Sequence, residues 1–434
     1  MVLAKAKSLK SGTIWTMAGY GGEIFLRMFS SLILTRIFLP EVFGLMAIIF
    51  AFNVAMEMMS SVGIRYSVIH RPHGKEQYFL ETAWTIQILR GLLLWWVLYI
   101  STPQIALIYD EPTLVFLLPV SALALVLKGF NSIGIFTYAR ELGVAKVIVS
   151  KLLIQIIVLV FVISFSLIYK SIWVIIAGTL LSSILNLIIS HSLYTVNISR
   201  LQLDKTALKD ILSSGKWILF ATIFHFMIGQ GDRLLVGLFV SKTELGLYNL
   251  ASMYTHIPIA IITALSANIL MPFLTKSNRE KNANFEIEFQ RIVKRIVYLA
   301  VPMAFALLIF GPFLISWLYP SAFAFAGTIL KYSALGTMFQ ICGFSLIPLF
   351  LAKGDSLRHM LSFFSLFILV FFAIYLGSYL DSFIDMVYLL VLAKILWLPI
   401  ILLMSRKFIR LNFNWLILFL LFLSTIAIPI LVYF

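Results

Sequence analysis

Charged residues are scarce in this chain, and their scarcity excludes several classes of protein. Asp, Glu, Lys and Arg make up 12% of the 434 residues, whereas 62% of the residues are hydrophobic. A soluble domain contains roughly 25% charged and roughly 45–50% apolar residues. The composition therefore excludes a soluble globular protein and a disordered chain. It is typical of a protein that crosses a membrane many times.

Cysteine and the common catalytic motifs are almost absent. The single Cys342 excludes an intramolecular disulfide and a thiol-based metal site. The chain has no GxxxxGK[ST] motif for ATP and no HExxH motif for zinc. We therefore expect no metal and no cofactor, and we expect that the protein is not an enzyme.

Long apolar runs fill most of the chain. A helix needs about 20 mostly apolar residues to cross a bilayer, and runs of that length recur from end to end. The pattern predicts an all-α polytopic membrane protein with about thirteen transmembrane helices, within a range of 12–14. We place these spans at residues 13–38, 42–64, 82–107, 113–136, 146–168, 171–194, 215–240, 247–274, 291–318, 325–351, 359–378, 384–404 and 413–434.

The basic residues predict the orientation of the chain. The net charge is +15, and almost every lysine and arginine outside the spans lies in the N-terminus or after an even-numbered span. The connections on the other side hold only Arg36, Lys170 and Lys242. The positive-inside rule therefore predicts a cytoplasmic N-terminus. The same rule accounts for the basic charge without nucleic-acid binding.

A weak internal repeat suggests how the spans are grouped. Trp15 and Gly44 recur at the same spacing as Trp217 and Gly246, and six spans precede and follow the polar connection after span six. Chance similarity between apolar helices is the alternative explanation. A parallel repeat predicts two bundles with a substrate site between them. We predict an N-terminal six-helix bundle at 1–194, a cytoplasmic linker at 195–214, a C-terminal six-helix bundle at 215–404 and an additional span at 405–434.

Several charged residues lie within the spans, where each costs at least ~2.5–3.5 kcal/mol unless it meets a partner or a watery cavity. Most are cationic, which indicates an anionic substrate group. Glu23 and Arg27 are four residues apart on one helical face, so they form either a structural pair or an anion site. Lys331 alternatively reaches the outer surface with its long side chain. The candidate substrate-binding residues are Arg27, Glu23, Arg90, Lys128, Lys394, Lys331 and Glu57.

Three further residues are candidates for ion coupling or gating. Asp232 and Arg233 are adjacent within the seventh span, so they point to different faces of its helix. His225 lies in the same span, and a histidine in the membrane either relays protons or serves as a hydrogen-bonded packing residue.

Short motifs along the chain resemble Wzx-type oligosaccharide flippases of the polysaccharide transporter family. The resemblance covers about residues 10–360 and is strongest for the colanic-acid and teichuronic-acid exporter branch. It is carried by LTRIFLPEVFG at 34–44, GIRYSVI at 63–69, YARELG at 138–143, GDRLLVG at 231–237 and LGLYNLA at 245–251.

The resemblance implies a specific fold and activity. The family belongs to a superfamily with MATE-type multidrug exporters and lipid II flippases, in which two six-helix bundles form a V around a central cavity. A member would move an undecaprenyl-diphosphate-linked glycan from the inner to the outer leaflet of the bacterial cytoplasmic membrane and supply a polysaccharide polymerase machinery. The resemblance also implies a cationic cavity for the diphosphate, with Arg27 deep in the first span.

Two functions therefore remain as hypotheses. The first is a flippase for a lipid-linked oligosaccharide that works by alternating access. The alternative is a MATE-like efflux antiporter for small molecules, which would favour acidic residues in its cavity. The identity of the glycan and of the coupling ion does not follow from the sequence.

Overall fold

The computed structural model confirms an all-helical membrane fold. The structure describes residues 19, 21–59, 64–70, 72–140, 144–194, 200–211, 223, 226–227, 229–266, 270–271, 273–274, 285–380 and 382–409. Its helices are α1 at 21–34, α2 Pro40–Met59, α3 Ile64–His70, α4 Gln77–Ile108, α5 Leu114–Gly129, α6 Gly134–Arg140, α7 Val144–Tyr169, α8 Ile172–Leu193, α9 at 205–211, α10 Gly231–Val236, α11 Lys242–Leu265, α12 Phe285–Leu318, α13 Phe325–Phe344, α14 Ile347–Ala352, α15 Ser356–Gly377 and α16 Phe383–Ser405.

The described helices account for most of the predicted spans. Among the described residues, nine helical segments are long and apolar enough to cross a membrane, and α5 is a shorter apolar helix. The protein is therefore a multi-pass membrane protein. The count of thirteen stays a prediction, because span 413–434 and most of span 215–240 lie outside the described residues. The cytoplasmic location of the N-terminus also stays a prediction.

The chain divides into two compact units. The first comprises Met1–Phe38 and Met46–Gln230, and the second comprises Leu39–Leu45 and Gly231–Phe434. The predicted bundles and linker have similar but different bounds, and they remain predictions. Because the second unit includes Leu39–Leu45, the first turn of α2 packs with the C-terminal helices.

Close helix packing organises the first unit. Helix α5 packs against α4 and α8, and α7 packs against α8. A Cβ atom at Gly91 of α4 would lie only 2.8 Å from the carbonyl oxygen of Leu125 in α5. Gln87 completes this contact, because its Nε2 donates to the carbonyl oxygens of Gly129 (3.0 Å) and Asn131 (2.9 Å) at the end of α5. These residues hold the end of α5, and Asn131 after it, at a defined position.

The second unit is built around α13. This helix packs against α11, α12 and α16. In the segment Ser321–Ala352, 78% of the most apolar stretch of 18 residues is buried, whereas the corresponding share in α7 is 22%. The indole of Trp397 on α16 is fully buried, and its Nε1 donates to the carbonyl oxygen of Ser362 at 2.9 Å. Gly343 of α13 makes room for that ring, since a Cβ there would lie 2.3 Å from it.

The first turns of α2 and α11 meet in a reciprocal glycine contact. A Cβ at Gly44 would lie 1.9 Å from the carbonyl oxygen of Lys242, and a Cβ at Gly246 would lie 1.9 Å from that of Pro40. Pro40 and Lys242 each precede their glycine by four residues, so the two helix starts use equivalent positions. Small residues at this spacing allow such close backbone approach. The contact joins the two glycines of the predicted repeat, although Trp15 and Trp217 lie outside the described residues.

Residues 200–211, the described part of the predicted linker, pack on the first unit. Ala207 and Ile211 of α9 join a buried apolar cluster with Phe79 and Leu80 of α4. Two backbone amides of the segment also donate to α4, because the N–H of Asp204 reaches Thr82 Oγ1 at 3.0 Å and the N–H of Gln202 reaches Thr85 Oγ1 at 3.1 Å. This part of the connection is therefore held against α4.

Asp204 caps α9, so we expect the stability of that helix to depend on pH. The Thr206 hydroxyl and the backbone N–H of Ala207 donate to its carboxylate and lower its pKa below the ordinary value. The carboxylate of Asp204 therefore stabilises α9 fully at a pH above the ordinary carboxyl pKa. This stabilisation is lost as the pH falls through the lower pKa of Asp204 in the folded protein. We expect Asp204→Ala to increase hydrogen exchange of the α9 amides severalfold at pH 7, measured by mass spectrometry. The exposed Lys209→Ala is the control, and equal exchange in both variants would contradict the role of the cap.

Candidate functional site

A polar cavity of about 680 Å³ lies within the first unit. Helix α7 lines it with one face, since Val147, Ser150, Lys151, Ile154, Gln155 and Val158 recur at spacings of three and four. Helix α8 contributes a second polar face, because Ser182, Asn186 and Ser190 recur every four residues. The other lining residues are Glu23, Glu57, Asn131, Ile135, Ser182, Asn186, Ile189, Ser190 and Tyr194.

Glu23 is positioned by the close packing of α1 against α7. A Cβ at Gly22 would lie 3.1 Å from Leu152 of α7, so the glycine permits the approach. Glu23 Oε1 then lies 2.7 Å from the ammonium of Lys151. Gln155 lies one turn further along α7, and its Nε2 lies 3.5 Å from the backbone oxygen of Glu23. The cavity wall here consists of an ion pair and an amide.

Glu57 forms a second ion pair at the cavity. Its Oε2 accepts a hydrogen bond of 2.6 Å from the ammonium of Lys128 on α5. Arg90 on α4 also interacts electrostatically with Glu57. Among the described residues, the buried Nε of Arg90 has no hydrogen-bond partner. Helices α2, α4 and α5 are therefore linked by one acidic and two basic groups.

Hydroxyl groups hold together one end of the cavity. The backbone N–H of Ser132 donates to Ser190 Oγ at 2.9 Å, and Ser132 Oγ donates to the carbonyl oxygen of Tyr194 at 2.9 Å. The hydroxyls of Tyr194 and Ser150 lie 3.2 Å apart. These bonds tie the end of α8 to α7 and to the segment after α5, so this end of the cavity is preorganised.

Four other charged residues of the predicted site lie in the second unit: Asp232, Arg233, Lys331 and Lys394. Asp232 Oδ1 accepts the backbone N–H of Arg233 at 2.9 Å, and its Oδ2 accepts the hydroxyl of Tyr248 at 2.8 Å. Lys394 interacts electrostatically with Asp232. Its side chain packs against Gly336, where an added Cβ would lie 3.0 Å from Lys394 Cδ.

Lys331 is also buried inside the second unit. Its side chain is 5% exposed, and its ammonium lies 5.5 Å from the ring centre of Tyr332. That ring contacts Tyr388 edge to face, at 4.6 Å between centroids. The long side chain thus ends on an aromatic face inside the unit.

Of the ten candidate residues, two line the described cavity. These are Glu23 and Glu57. Lys128 and Arg90 interact with Glu57. Arg27 is exposed on α1. Lys331, Lys394, Asp232 and Arg233 belong to the second unit. His225 lies outside the described residues. The roles of these residues in binding and coupling stay predictions.

Sequence reasoning missed Lys151 and every neutral polar residue of the cavity. One signal was visible in the sequence, since Ser182, Asn186 and Ser190 recur every four residues in an apolar span. Such a polar stripe indicates a helix face that avoids lipid. Lys151 lies within the predicted span 146–168 but was not considered as a candidate.

Two solved structures of transport proteins share the fold of this chain. The lipid II flippase MurJ, in an inward closed conformation, matches with a TM-score of 0.74 at 14% identity, covering 96% of this chain and 91% of that chain. An inward-facing multidrug resistance MATE family transporter of the MOP superfamily matches with a TM-score of 0.67 at 13% identity, covering 88% and 94%. At these identities the likeness concerns the fold alone.

Two curated relatives serve in polysaccharide biosynthesis. The teichuronic acid biosynthesis protein TuaB of Bacillus subtilis (strain 168) is 24% identical over 264 residues, which cover 59% of this chain and 53% of that protein. The succinoglycan biosynthesis transport protein ExoT of Rhizobium meliloti (strain 1021) is 20% identical over 333 residues, which cover 76% and 66%. The chain thus spans between about half and two thirds of the length of these relatives.

A family model agrees with these matches. The model described as "Polysaccharide biosynthesis protein" matches residues 33–327, well over half of the chain. The order of sequence motifs, the all-helical membrane fold and the family match support the same assignment. The chain therefore belongs to the polysaccharide biosynthesis protein family, within the MATE- and MurJ-like fold.

Proposed function

We propose that this protein is a flippase for the lipid-linked oligosaccharides from which a surface polysaccharide is built. Its substrate would be an undecaprenyl-diphosphate-linked glycan, moved from the cytoplasmic to the outer leaflet of the bacterial inner membrane by alternating access. A polymerase machinery would use the product. The family and the transporter fold support this proposal, as does the naming of the relatives for polysaccharide synthesis and transport.

The polar cavity is the observation that carries the proposal. Helices α7 and α8 are strongly apolar, yet their cavity-facing positions include serines, amides and a lysine. Polar side chains in a membrane helix are costly unless they face protein or water. A cavity of about 680 Å³ also falls in the usual range of ligand sites, about 300–1,000 Å³. It could hold a polar headgroup while the lipid chain remains in the bilayer.

Filling the cavity should stop export. Ser182 and Ser192 lie on the same helix, but only Ser182 lines the cavity. We expect Ser182→Phe to lower surface polymer by at least about tenfold, because its ring would occupy the space of the headgroup and each loss of about 1.4 kcal/mol of binding free energy is tenfold in affinity. Lipid-linked precursor should then accumulate in the cytoplasmic leaflet.

The control is Ser192→Phe, which adds the same ring outside the cavity. Surface polymer is measured in a polymer-producing strain that lacks its own copy of the gene, with protein levels measured by immunoblot. Wild-type polymer in both variants at equal protein levels would contradict the proposal.

A MATE-like efflux antiporter for small molecules is the second candidate. One observation favours it, because two carboxylates, Glu23 and Glu57, are among the described residues that line the cavity. A carboxylate can attract an organic cation. Accumulation of a fluorescent cationic dye in cells with and without the protein would separate the candidates. An unchanged polymer together with increased dye accumulation in the absence of the protein would favour efflux.

A further inference from the structure

Basic side chains gather at one end of the second unit. We define the basic cluster as Lys353, Arg358, Arg406 and Lys407. Lys353 follows α14, Arg358 lies in the first turn of α15, and the other two follow the end of α16. Arg406 and Lys407 are exposed, whereas Lys353 and Arg358 are half-buried. The positive-inside rule predicts that this end of the unit is cytoplasmic.

Two aromatic rings hold three of these side chains. The guanidinium of Arg358 lies 5.5 Å from the ring centre of Phe408, and the ammonium of Lys407 lies 5.8 Å from the same centre. The ammonium of Lys353 lies 4.2 Å from the ring centre of Phe285, at the start of α12. Cations are attracted to the faces of aromatic rings at such distances. The rings therefore bring together cations from segments that are far apart in the chain.

The positive charge of the basic cluster is only partly neutralised. Asp355 accepts the backbone N–H of Arg358 at 2.9 Å, and its carboxylate also pairs with the guanidinium of that residue. Lys407 interacts electrostatically with the same carboxylate. Among the described residues, Lys353, Arg406 and Lys407 form no ion pair. One carboxylate thus faces four cations.

The first turns of α12 do not reverse this sign. Glu286 and Glu288 follow Phe285 in that helix, but three basic residues come next, namely Arg291, Lys294 and Arg295. With the basic cluster and Asp355, the described charges at this end are seven basic and three acidic residues. An anionic group would therefore meet a net positive surface.

The basic cluster lies at the depth of lipid headgroups. The candidate membrane spans nearest to it are Ser321–Ala352, Leu357–Gly377 and Phe383–Ser405. Each of its four residues lies within two positions of the end of one of these spans. Headgroups cover both faces of a hydrocarbon core about 30 Å thick, and long basic side chains reach them from the ends of spans. Lipid phosphates would therefore lie within reach.

Exposed apolar side chains adjoin the cations. Leu357 is 62% exposed and precedes Arg358, and Leu403 is 60% exposed in the last turn of α16. Basic groups beside exposed apolar ones are typical of surfaces that bind anionic lipids, because the first contact headgroups and the second contact acyl chains. A small soluble anion would use only the cations. The combination therefore favours a lipid ligand.

We propose that the basic cluster is a binding site for the phosphate headgroup of an anionic phospholipid in the leaflet around the second unit. Asp355 fixes the orientation of Arg358, whose remaining N–H donors suit a phosphate. The lysines add point charges. The site is separate from the cavity of the first unit and does not depend on the proposed function.

Binding of defined lipids to the purified full-length protein tests the site. Native mass spectrometry in an uncharged detergent gives Kd for phosphatidylglycerol and for phosphatidylcholine with the same acyl chains. We expect phosphatidylglycerol to bind at least about tenfold more tightly, since each basic residue beside an anionic lipid contributes about fivefold. Equal values of Kd would overturn the proposal.

A double variant assigns this preference to the basic cluster. Lys353→Gln with Lys407→Gln removes two charges but keeps the pair of Asp355 and Arg358. We expect its Kd for phosphatidylglycerol to rise at least about tenfold, with the Kd for phosphatidylcholine and the Tm without added lipid unchanged. If the double variant does not fold, Arg406→Gln replaces it, with an expected rise of about fivefold.

The matched control removes two lysines elsewhere. Lys205→Gln with Lys209→Gln changes the net charge by the same amount, at exposed positions of the first unit on the same predicted side of the membrane. Its Kd for phosphatidylglycerol should stay at the wild-type value. An equal loss of affinity in both double variants would show that the overall charge attracts the lipid, which would overturn the site.

A second lipid distinguishes the source of the phosphate. Polyprenyl diphosphate presents the same chemistry but belongs to the proposed substrate. We expect Lys353→Gln with Lys407→Gln to leave its Kd unchanged while weakening phosphatidylglycerol. A loss of affinity for polyprenyl diphosphate as large as that for phosphatidylglycerol would mean that the basic cluster receives the transported lipid, and the phospholipid assignment would be wrong.

Discussion

Replacing Gly44 by alanine is expected to destabilise the protein severely. The added Cβ would lie 1.9 Å from the carbonyl oxygen of Lys242, well inside the distance at which two atoms can pack. Both sides of the contact are backbone at the first turn of a helix, so no side-chain rotation relieves the overlap. Overpacking typically costs about 1–3 kcal/mol, and we expect the upper end or more. For a unit of this size that corresponds to a fall in Tm of roughly 6 °C or more.

The reciprocal variant and a control make the prediction specific. Gly246→Ala should have a similar effect, because its Cβ would lie 1.9 Å from the carbonyl oxygen of Pro40. Gly21→Ala is the control, since a Cβ there meets nothing within 4 Å. Thermal unfolding of the purified proteins in detergent measures Tm. An unchanged Tm in Gly44→Ala would show that the helices do not approach in this way.

The double variant tests whether the two glycines share one contact. Once either alanine has pushed the starts of α2 and α11 apart, the second should cost much less. We therefore expect the combined loss of stability to be smaller than the sum of the single losses, by at least about 0.5 kcal/mol. Additive losses would indicate two independent contacts.

Truncation of Trp397 is the second change with a large expected effect. The indole is fully buried, lies 5.5 Å from Phe344 between ring centres, and donates from Nε1 to Ser362 O. Removing a large buried aromatic side chain typically costs about 3–5 kcal/mol. In a membrane protein, packing rather than transfer from water supplies most of that energy, so we expect the lower end for Trp397→Ala.

Two comparisons distinguish packing from the general effect of losing a tryptophan. Trp397→Phe should lose less stability than Trp397→Ala, because the smaller ring still fills most of the space beside Gly343. Trp317→Ala removes an indole that is 70% exposed and should leave Tm nearly unchanged. Equal values of Tm for Trp397→Ala and Trp317→Ala would contradict the assigned packing.

The helical fold was predictable because hydropathy is a local property. Each span has its own apolar run, and α4, α7, α8, α15 and α16 lie within a few residues of the predicted bounds. Short polar connections also follow from the sequence, such as the two residues between α7 and α8. Span ends were less accurate where charged residues continue a helix. Helix α12 begins at Phe285 and includes Glu286 and Glu288, whereas the predicted span begins at residue 291.

The partners of the charged residues were not predictable. Glu57 and Lys128 are 71 positions apart in the chain. Glu23 was considered with Arg27 on its own helix, whereas the structure gives it an ion pair with Lys151 on α7. Hydropathy shows that a buried charge needs a partner, but the partner depends on which helices become neighbours. Small residues such as Gly22 and Gly91 influence that choice through close packing, and their effect is not local.

The scarcity of charge determined by itself that this chain crosses a membrane repeatedly, and the motif order indicated its family. Both follow from properties of short segments, since bilayer crossing depends on about 20 residues at a time. Only the tertiary structure decided which polar groups share a cavity. That outcome depends on contacts between helices that are far apart in sequence, such as the ion pairs of Glu57 with Lys128 and of Glu23 with Lys151.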